Sequence, residues 1–211
     1  MSTFAAALGV EKVVRESAGV LFRETERADP LLDLHFGEDT QAMVPEAKLE
    51  NGVPQGEGWF VVNARDSRWL HNELGAYCGF EGKDDAAFEQ LGINLNVLPP
   101  GMPMAMYHEE PGQEGFLVLR GECVLVVEGQ ERPLEAWDFV HCPPRTKHVI
   151  VGAGESPALV LAVGARKGGA SYPIDETAVR LGAGVDKEVT SPAEAYARFS
   201  PLEEGPAPEL S

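Results

Sequence analysis

The stretch that decides the fold is residues 101–152, GMPMAMYHEEPGQEGFLVLRGECVLVVEGQERPLEAWDFVHCPPRTKHVIVG. Short apolar runs alternate in it with turns marked by Gly and Pro. Residues 116–119 and 123–127 flank Gly121, which predicts an antiparallel hairpin whose turn uses the backbone freedom of glycine. Residues 128–130 predict the next turn. Short strands at this near-even spacing predict a β-sandwich or a jelly-roll barrel.

The same stretch contains four side chains that can bind a metal. His108, Glu110 and Glu114 fall at i, i+2 and i+6, and His148 follows after the apolar runs. Because alternate residues of a strand share a face, the first three can point into one interior, whereas Glu109 should point outward. Imidazole and carboxylate ligands without a thiolate suit zinc, iron, manganese or nickel. We therefore predict one divalent metal ion with open positions for water or substrate.

With these residues in place, the sequence resembles the cupin superfamily. The first cupin motif reads roughly G-x5-H-x-H-x3-E-x6-G. This chain has Gly101, six intervening residues, and then His108-x-Glu110-x3-Glu114-x6-Gly121, so Glu110 stands where the family has its second histidine.

The second cupin motif reads roughly G-x5-P-x-G-x2-H-x3-N. Here Pro143-x-Arg145-x2-His148 keeps the proline and the histidine, while Arg145 replaces a glycine and Gly152 replaces an asparagine. Arg145 indicates either tolerated backbone strain or a cation placed to meet an anionic substrate. The resemblance covers about residues 90–165 and implies an all-β fold, an antiparallel jelly-roll (cupin) β-barrel.

We expect three regions along the chain: an N-terminal arm at 1–58, the cupin barrel at 59–166, and a C-terminal extension at 167–211. Apolar spacing at 3–22 favours a short helix, residues 43–58 read as irregular connector, and residues 59–62 read as the first strand. Residues 91–97 alternate apolar and small polar side chains, as in a strand with one buried face. The extension should hold two short helices, near Asp175 and at 191–194, and a mobile tail. Ser191 and Glu194 form a capping-box pattern.

Composition restricts the partners. The chain has 17 Lys+Arg against 34 Asp+Glu, a formal net charge of -17, which would repel phosphate backbones and anionic membranes. We therefore expect neither nucleic acid nor a membrane as a partner. Three cysteines, an odd number, indicate no disulfide framework. No signal peptide or long apolar run is evident, so we expect a cytoplasmic protein. The arms are expected to support a homodimer.

Two functions remain open. The first is a metal-dependent enzyme acting on a small polar organic molecule by dioxygenase- or isomerase-like chemistry. The second is a non-catalytic cupin that binds a small ligand such as a sugar or organic acid. An enzyme needs a titratable group within reach of the bound molecule, and His71 and Glu73 are the candidates. His141 is expected to pack rather than to bind metal.

Overall fold

The computed structural model describes residues 10–16, 19–24, 46–56, 58–83 and 86–209. Two units are distinguished, Met1–Met43 and Val44–Ser211. In the first unit, β1 (Val10–Glu16) and β2 (Gly19–Glu24) pair antiparallel. The helix predicted at 3–22 is therefore wrong over its described part, where the β-branched valines favour extended backbone; residues 3–9, 17 and 18 lie outside the described residues.

The second unit is an antiparallel β-structure with two short helices. Its elements are β3 (Lys48–Glu50), β4 (Val53–Gln55), β5 (Trp69–Asn72), β6 (Gly75–Gly79), β7 (Leu91–Leu98), β8 (Glu114–Arg120), β9 (Glu122–Val127), β10 (Gln130–Glu135), β11 (Phe139–Cys142), β12 (His148–Ala153), β13 (Ala158–Ala165), α1 (Glu176–Arg180), α2 (Pro192–Ala195) and β14 (Glu203–Gly205). A seven-stranded sheet runs β11-β8-β13-β7-β6-β5-β14, and a three-stranded sheet runs β10-β9-β12. The predicted all-β jelly-roll fold is confirmed.

Gly121 is a corner between the two sheets rather than a hairpin turn. β8 pairs with β11 and β13, whereas β9 pairs with β10 and β12, so the predicted hairpin between β8 and β9 is wrong. Gly121 has φ +79°, and a Cβ there would lie 2.8 Å from the Cα of Ala158. The turn predicted at 128–130 does form, because Glu128 and Gly129 adopt φ 47° and 74° between β9 and β10.

The segment before the large sheet differs from the prediction in two places. Residues 59–62 form no strand, since only Val61 makes an isolated bridge, to Glu46, and Trp59 is 63% exposed. The supposed connector at 43–58 instead contains the β3–β4 hairpin. Its turn is Asn51-Gly52, with φ 50° and 72°. An Asn-Gly pair is a strong sequence signal for a hairpin, but it was missed because the many Gly and Pro residues of this segment were taken to indicate an irregular connector.

Strand β7 forms as expected, but its small polar side chains face inward. Asn96 pairs with Val160 and Asn94 with Ala162, and both partners belong to the barrel core together with Leu98. Alternate residues such as Leu91, 44% exposed, therefore lie on the outer face of the sheet. Val97, on the same face as Leu91, is only 6% exposed and packs with Trp69 and Cys78. The alternation therefore correctly predicts a strand, but both of its faces are buried toward its C-terminal end rather than one.

The C-terminal region packs onto the barrel. The Asp175 side chain caps α1 by accepting from the amide of Ala178 at 2.8 Å. The capping box predicted at Ser191 is wrong, because the serine side chain makes no cap hydrogen bond and Glu194 lies 3.3 Å from Lys187 instead. Strand β14, in the segment expected to be a mobile tail, pairs with β5. The domain bounds themselves stay a prediction.

Two further sequence features can be placed in the fold. Cys78, Cys123 and Cys142 are free thiols, and all are buried. Among the described residues, no helix combines the length and the apolar character that crossing a membrane requires.

Gly152, at the position where the second motif often has asparagine, leaves no room for a side chain. A Cβ there would lie 2.4 Å from the carbonyl oxygen of Pro99 and 2.9 Å from that of Leu98. The amide of Gly152 donates to Met102 O, and its carbonyl accepts from Gly101 N. This close backbone approach explains why the chain departs from the family pattern here.

Replacing Gly152 by Asn should therefore destabilise the barrel by at least about 2 kcal/mol, because backbone must move to relieve the contact. Thermal unfolding followed by circular dichroism would measure it. Gly168→Asn is the control, since Gly168 has φ +56° and nothing lies within 4 Å of a Cβ there. Equal unfolding temperatures for the two variants would contradict the explanation.

Candidate metal centre

The two histidines are brought together by a backbone contact rather than by a regular strand. His108 donates its amide to His148 O at 3.1 Å, and His148 donates back to His108 O at 2.9 Å. The chain from Gly101 to Glu110 forms only isolated bridges, so His108 and Glu110 do not lie in the regular strand that was predicted, although their side chains are on one side, with Nε2 and Oε1 3.9 Å apart. The reciprocal pair nevertheless sets the imidazole centroids 4.9 Å apart.

Each imidazole is oriented by a carbonyl two residues earlier. Nδ1 of His108 lies 2.7 Å from Met106 O, and Nδ1 of His148 lies 2.9 Å from Thr146 O. Since a carbonyl only accepts, both Nδ1 atoms carry the proton and both Nε2 atoms present a lone pair. His148 Nε2 is buried without any hydrogen-bond partner among the described residues. A buried, unsatisfied acceptor is what a metal ligand needs before it binds.

Glu114 completes a group of three converging side chains. Its Oε2 lies 3.5 Å from Nε2 of His148, and its Oε1 lies 4.0 Å from Nε2 of His108. One ligand atom from each of the three residues lies within 4.8 Å of the others. Glu114 opens β8 opposite Gly164 of β13, which has no side chain to crowd the carboxylate.

The surroundings of His108, Glu114 and His148 favour the uncharged form of each side chain. Burial lowers the pKa of His148 to about 4, with the neighbouring His108 as the second cause. Burial likewise lowers the pKa of His108. Burial and then the charge of Glu110 raise the pKa of Glu114 to about 7. Because the imidazoles are neutral near pH 7, their contacts with Glu114 are not ion pairs, and a cation would relieve the unfavourable environment of the carboxylate.

Glu110 lies at the edge of the group. Its Oε1 is 3.9 Å from Nε2 of His108, and its side chain is 35% exposed, against 12% for Glu114. Burial raises its pKa. The converging group of three does not include it. Glu109 points elsewhere, as expected, because its Oε1 accepts from Ser171 Oγ at 3.1 Å.

Arg145 ties the two motif segments together through its backbone. Its amide donates to Glu110 O at 2.7 Å, and its φ is +65°, the left-handed conformation that glycine adopts easily. The side chain is 70% exposed, with Nη1 3.9 Å from Glu109 Oε1. These observations favour tolerated strain over the alternative of a cation turned toward the site.

The other histidines and Glu73 make contacts of different kinds. His141 is exposed on β11, opposite Gly115. His71 Nε2 donates to Pro206 O at 2.9 Å, and Glu73 accepts from the amide and hydroxyl of Ser200. Both proton-transfer candidates named from the sequence therefore bind the C-terminal segment.

Two aromatic residues at the centre were missed by sequence reasoning. The Phe116 ring lies 5.2 Å from the His148 ring, and the Tyr172 ring lies 6.0 Å from the His108 ring. Phe116 could have been found, because it follows Glu114 by two residues on one strand face. Tyr172 carries no such signal, since only the fold brings it there. Burial, then the neighbouring Tyr196 and Glu110, raises its pKa to about 12.

The donor set fits a divalent metal ion. Two oriented imidazoles, one with an orphaned Nε2, and a buried carboxylate offer three ligands of the type that zinc, iron, manganese and nickel accept. Fold and site together define an antiparallel jelly roll with a histidine–carboxylate candidate metal centre.

Sequence comparison names this class. The family described as the cupin domain matches residues 94–164. Residues 94–164 therefore carry a cupin domain, which confirms the resemblance over that stretch. No curated protein matches the chain.

Several solved structures are similar over part of the chain. A cupin-superfamily sugar phosphate isomerase from Silicibacter pomeroyi is 28% identical, with 46% of this chain and 64% of that chain covered and a TM-score of 0.40. DMSP lyase DddQ from Ruegeria pomeroyi is 20% identical, with 60% and 59% covered and a TM-score of 0.39. A predicted oxalate decarboxylase from Thermotoga maritima is 21% identical, with 50% of this chain and 98% of that chain covered and a TM-score of 0.43. Similarities this distant carry no argument about the reaction.

Replacing Glu114 by Gln should stabilise the metal-free protein at high pH. The pKa of Glu114 is raised from 4.5 to about 7, so its contribution to stability is present below pH 4.5 and is lost as pH rises through about 7. At pH 8, Glu114→Gln should raise the unfolding temperature by on the order of 5 °C, and at pH 4.5 the difference should vanish. Scanning calorimetry with chelator measures both. A variant less stable than the parent at pH 8 would refute the assignment of a buried, unfavourable carboxylate.

Arg145→Gly should leave the protein at least as stable as the parent. Glycine removes the left-handed strain of about 1 kcal/mol but adds a similar amount of unfolded-state entropy. The exposed contact with Glu109 contributes little. Urea denaturation would measure the free energy of unfolding; a loss above about 2 kcal/mol would mean that the Arg145 side chain has a structural role.

Proposed function

We propose that this protein is a metal-dependent enzyme that converts a small polar organic molecule by isomerase- or dioxygenase-like chemistry. The observation that carries the proposal is the buried Nε2 of His148, which is oriented by Thr146 O and has no protein partner. An unsatisfied buried acceptor is costly, and a metal ion compensates for that cost.

The proposed ligands are His108, Glu110, Glu114 and His148. His108, Glu114 and His148 converge in the metal-free geometry, whereas Glu110 stands at the edge with its carboxylate near His108. The ion is zinc, iron, manganese or nickel. When bound, it would act as a Lewis acid toward a substrate oxygen or, if redox-active, support dioxygen chemistry.

Glu110 is also the side chain best placed to move a proton. It is partly exposed, its carboxylate lies at the centre, and burial raises its pKa toward the range where a carboxyl group can donate and accept. His71 and Glu73 are less suited because they bind the C-terminal segment. Glu110 can take this role only where it does not itself bind the ion, and a titratable group beside the ligands then favours an enzyme over a non-catalytic binder. The buried Phe116 and Tyr172 would limit the access of water.

The proposed partners are a small-molecule substrate and a second copy of the chain. The homodimer stays a prediction, supported by apolar side chains such as Phe139, 67% exposed, on the outer face of the seven-stranded sheet. A cytoplasmic location and the absence of nucleic-acid and membrane partners also stay predictions.

Elemental analysis by inductively coupled plasma mass spectrometry, on protein purified without chelator, tests the metal proposal. The parent should hold close to one ion per chain. His148→Asn and Glu114→Gln should each weaken metal binding at least about tenfold and lose most of the ion.

Two matched controls accompany these variants. His141→Asn and Glu109→Gln change the same residue types outside the converging group, and both should keep the parent's metal content. A metal-free parent after reconstitution, or equal losses in variants and controls, would overturn the proposal. Glu110→Gln then distinguishes a ligand, which loses metal, from a proton-transfer group, which keeps it.

A further inference from the structure

One cavity among the described residues lies beside the strands rather than at the metal centre. It has a volume of about 570 Å³ and lies between the strand residues Asn72, Asn96 and their neighbours on one side and C-terminal residues that include Tyr196 and Phe199 on the other. Small-molecule sites commonly have volumes of about 300–1,000 Å³. None of the proposed metal ligands lines it. The cavity is large enough to hold an organic molecule of its own.

The cavity wall has no charged side chain. Its lining is apolar and aromatic with a few neutral polar groups: Asn72, Leu74, Gly75, Ala76, Tyr77, Asn96, Val97, Leu98, Met104, Ala193, Tyr196, Ala197, Phe199, Ser200, Pro201 and Leu202. This is notable in a chain with 34 acidic and 17 basic residues. Phosphate and carboxylate groups need cationic or multiple N–H partners when they are buried. The wall therefore favours an uncharged ligand.

Two asparagines place hydrogen-bonding groups on the inner face of β7. Asn96 lines the cavity, is only 7% exposed, and donates Nδ2 to Asn94 Oδ1 at 2.6 Å. Among the described residues, this is the one side-chain hydrogen bond that either amide makes. Their strand partners Val160 and Ala162 are apolar. Of this pair only Asn96 lines the cavity, and its side-chain carbonyl makes no hydrogen bond among the described residues, so it is available to a ligand there.

Tyr77 adds a hydroxyl to the same face. It pairs with Asn96 on the neighbouring strand, and Gly79 pairs with Asn94. A Cβ at Gly79 would lie 3.2 Å from the Tyr77 hydroxyl oxygen, so the phenol lies over the glycine. Asn94 and Asn96 therefore form a short polar strip on β7, of which Asn96 lines the cavity. The Tyr77 ring borders the same wall, whereas its hydroxyl lies over Gly79, beside a second cavity lined by Arg68, Glu81 and Lys83.

The strip leads from the cavity toward the metal centre. Asn94 shares a line of cross-strand partners with Ala162 and Phe116, and the Phe116 ring lies 5.2 Å from the His148 ring. Two strand spacings separate Asn94 from Phe116, about 10 Å. A ligand whose body fills the cavity can thus extend its polar end along the strip in the direction of the ion.

We propose that this cavity binds an uncharged small molecule with an apolar body and a hydroxyl or amide N–H group that the side-chain carbonyl of Asn96 recognises. The inference names the substrate class of the proposed enzyme and rests on that function for its catalytic meaning. An uncharged wall of this kind differs from the wall of a site that binds sugar phosphates or small carboxylates, which would need cationic or N–H groups.

Two fluorescent probes with the same aromatic body test the charge preference. N-phenyl-1-naphthylamine is neutral, and 8-anilinonaphthalene-1-sulfonate carries a sulfonate. The neutral probe should bind the full chain saturably at one site, with an affinity at least about tenfold higher than that of the sulfonate. Equal or tighter binding of the sulfonate would overturn the proposal.

Variants locate the neutral probe. Ala197→Trp and Ala193→Trp place an indole into the cavity from exposed positions of its rim, so each should abolish saturable binding. Ala87→Trp is the control at an exposed site that does not line the cavity, and it should bind like the parent. Asn96→Leu keeps the branched shape and the number of side-chain heavy atoms but removes the amide, which should weaken binding about three- to tenfold. Unchanged binding in both cavity tryptophan variants would overturn the assignment.

Metal analysis of the same proteins separates the two proposals. Ala197→Trp and Asn96→Leu change no proposed metal ligand and should keep the parent's metal content while probe binding falls. If these variants lost metal as well as probe binding, the claim that the cavity and the metal centre are two different sites would be wrong. A metal-free parent that still binds the neutral probe at this site would refute the enzyme and leave the cavity assignment standing.

Discussion

The reciprocal backbone hydrogen bonds between His108 and His148 are the constraint on which the candidate centre depends. They join two segments that are 40 residues apart in the chain, and they do so where neither segment needs to be a long strand. The carbonyls of Met106 and Thr146, each two residues before its histidine, then orient the rings. Backbone geometry therefore fixes both the separation of the imidazoles and the tautomer that leaves their Nε2 atoms free.

Burial makes this arrangement unfavourable without a cation. The environment lowers the pKa of both imidazoles and raises that of Glu114, so each group resists the charge that it would need to form an ion pair with its neighbour. A divalent ion reverses this balance, because it binds the neutral imidazoles and the ionised carboxylate together. The same burial thus lowers the stability of the metal-free protein and strengthens the binding of the ion, as is common where a fold maintains a functional site.

The sequence predicted those features that depend on the spacing of neighbouring residues. It did not predict features that depend on contacts between segments far apart in the chain. The strand predicted at 91–97 forms as β7, because apolar side chains that alternate between turn residues are a local signal. Gly121 was recognised as a turn, but whether it joins neighbours in one sheet or turns a corner between sheets depends on pairing that the sequence does not show. The Ser191 capping box failed because Glu194 lies near Lys187 instead.

The inward asparagines of β7 show how the two sites of this barrel can be related. Alternation along a strand separates its faces but does not say how deeply each is buried, and here Asn96 faces the barrel core while Val97 on the other face packs with Trp69. Burying Asn96 among valines lowers stability unless its amide is satisfied, and the protein supplies one partner, Asn94. The remaining amide groups lie between an uncharged cavity and a centre that favours a cation. One molecule with an apolar body and a neutral polar end matches both environments, whereas an anionic substrate would match only the second.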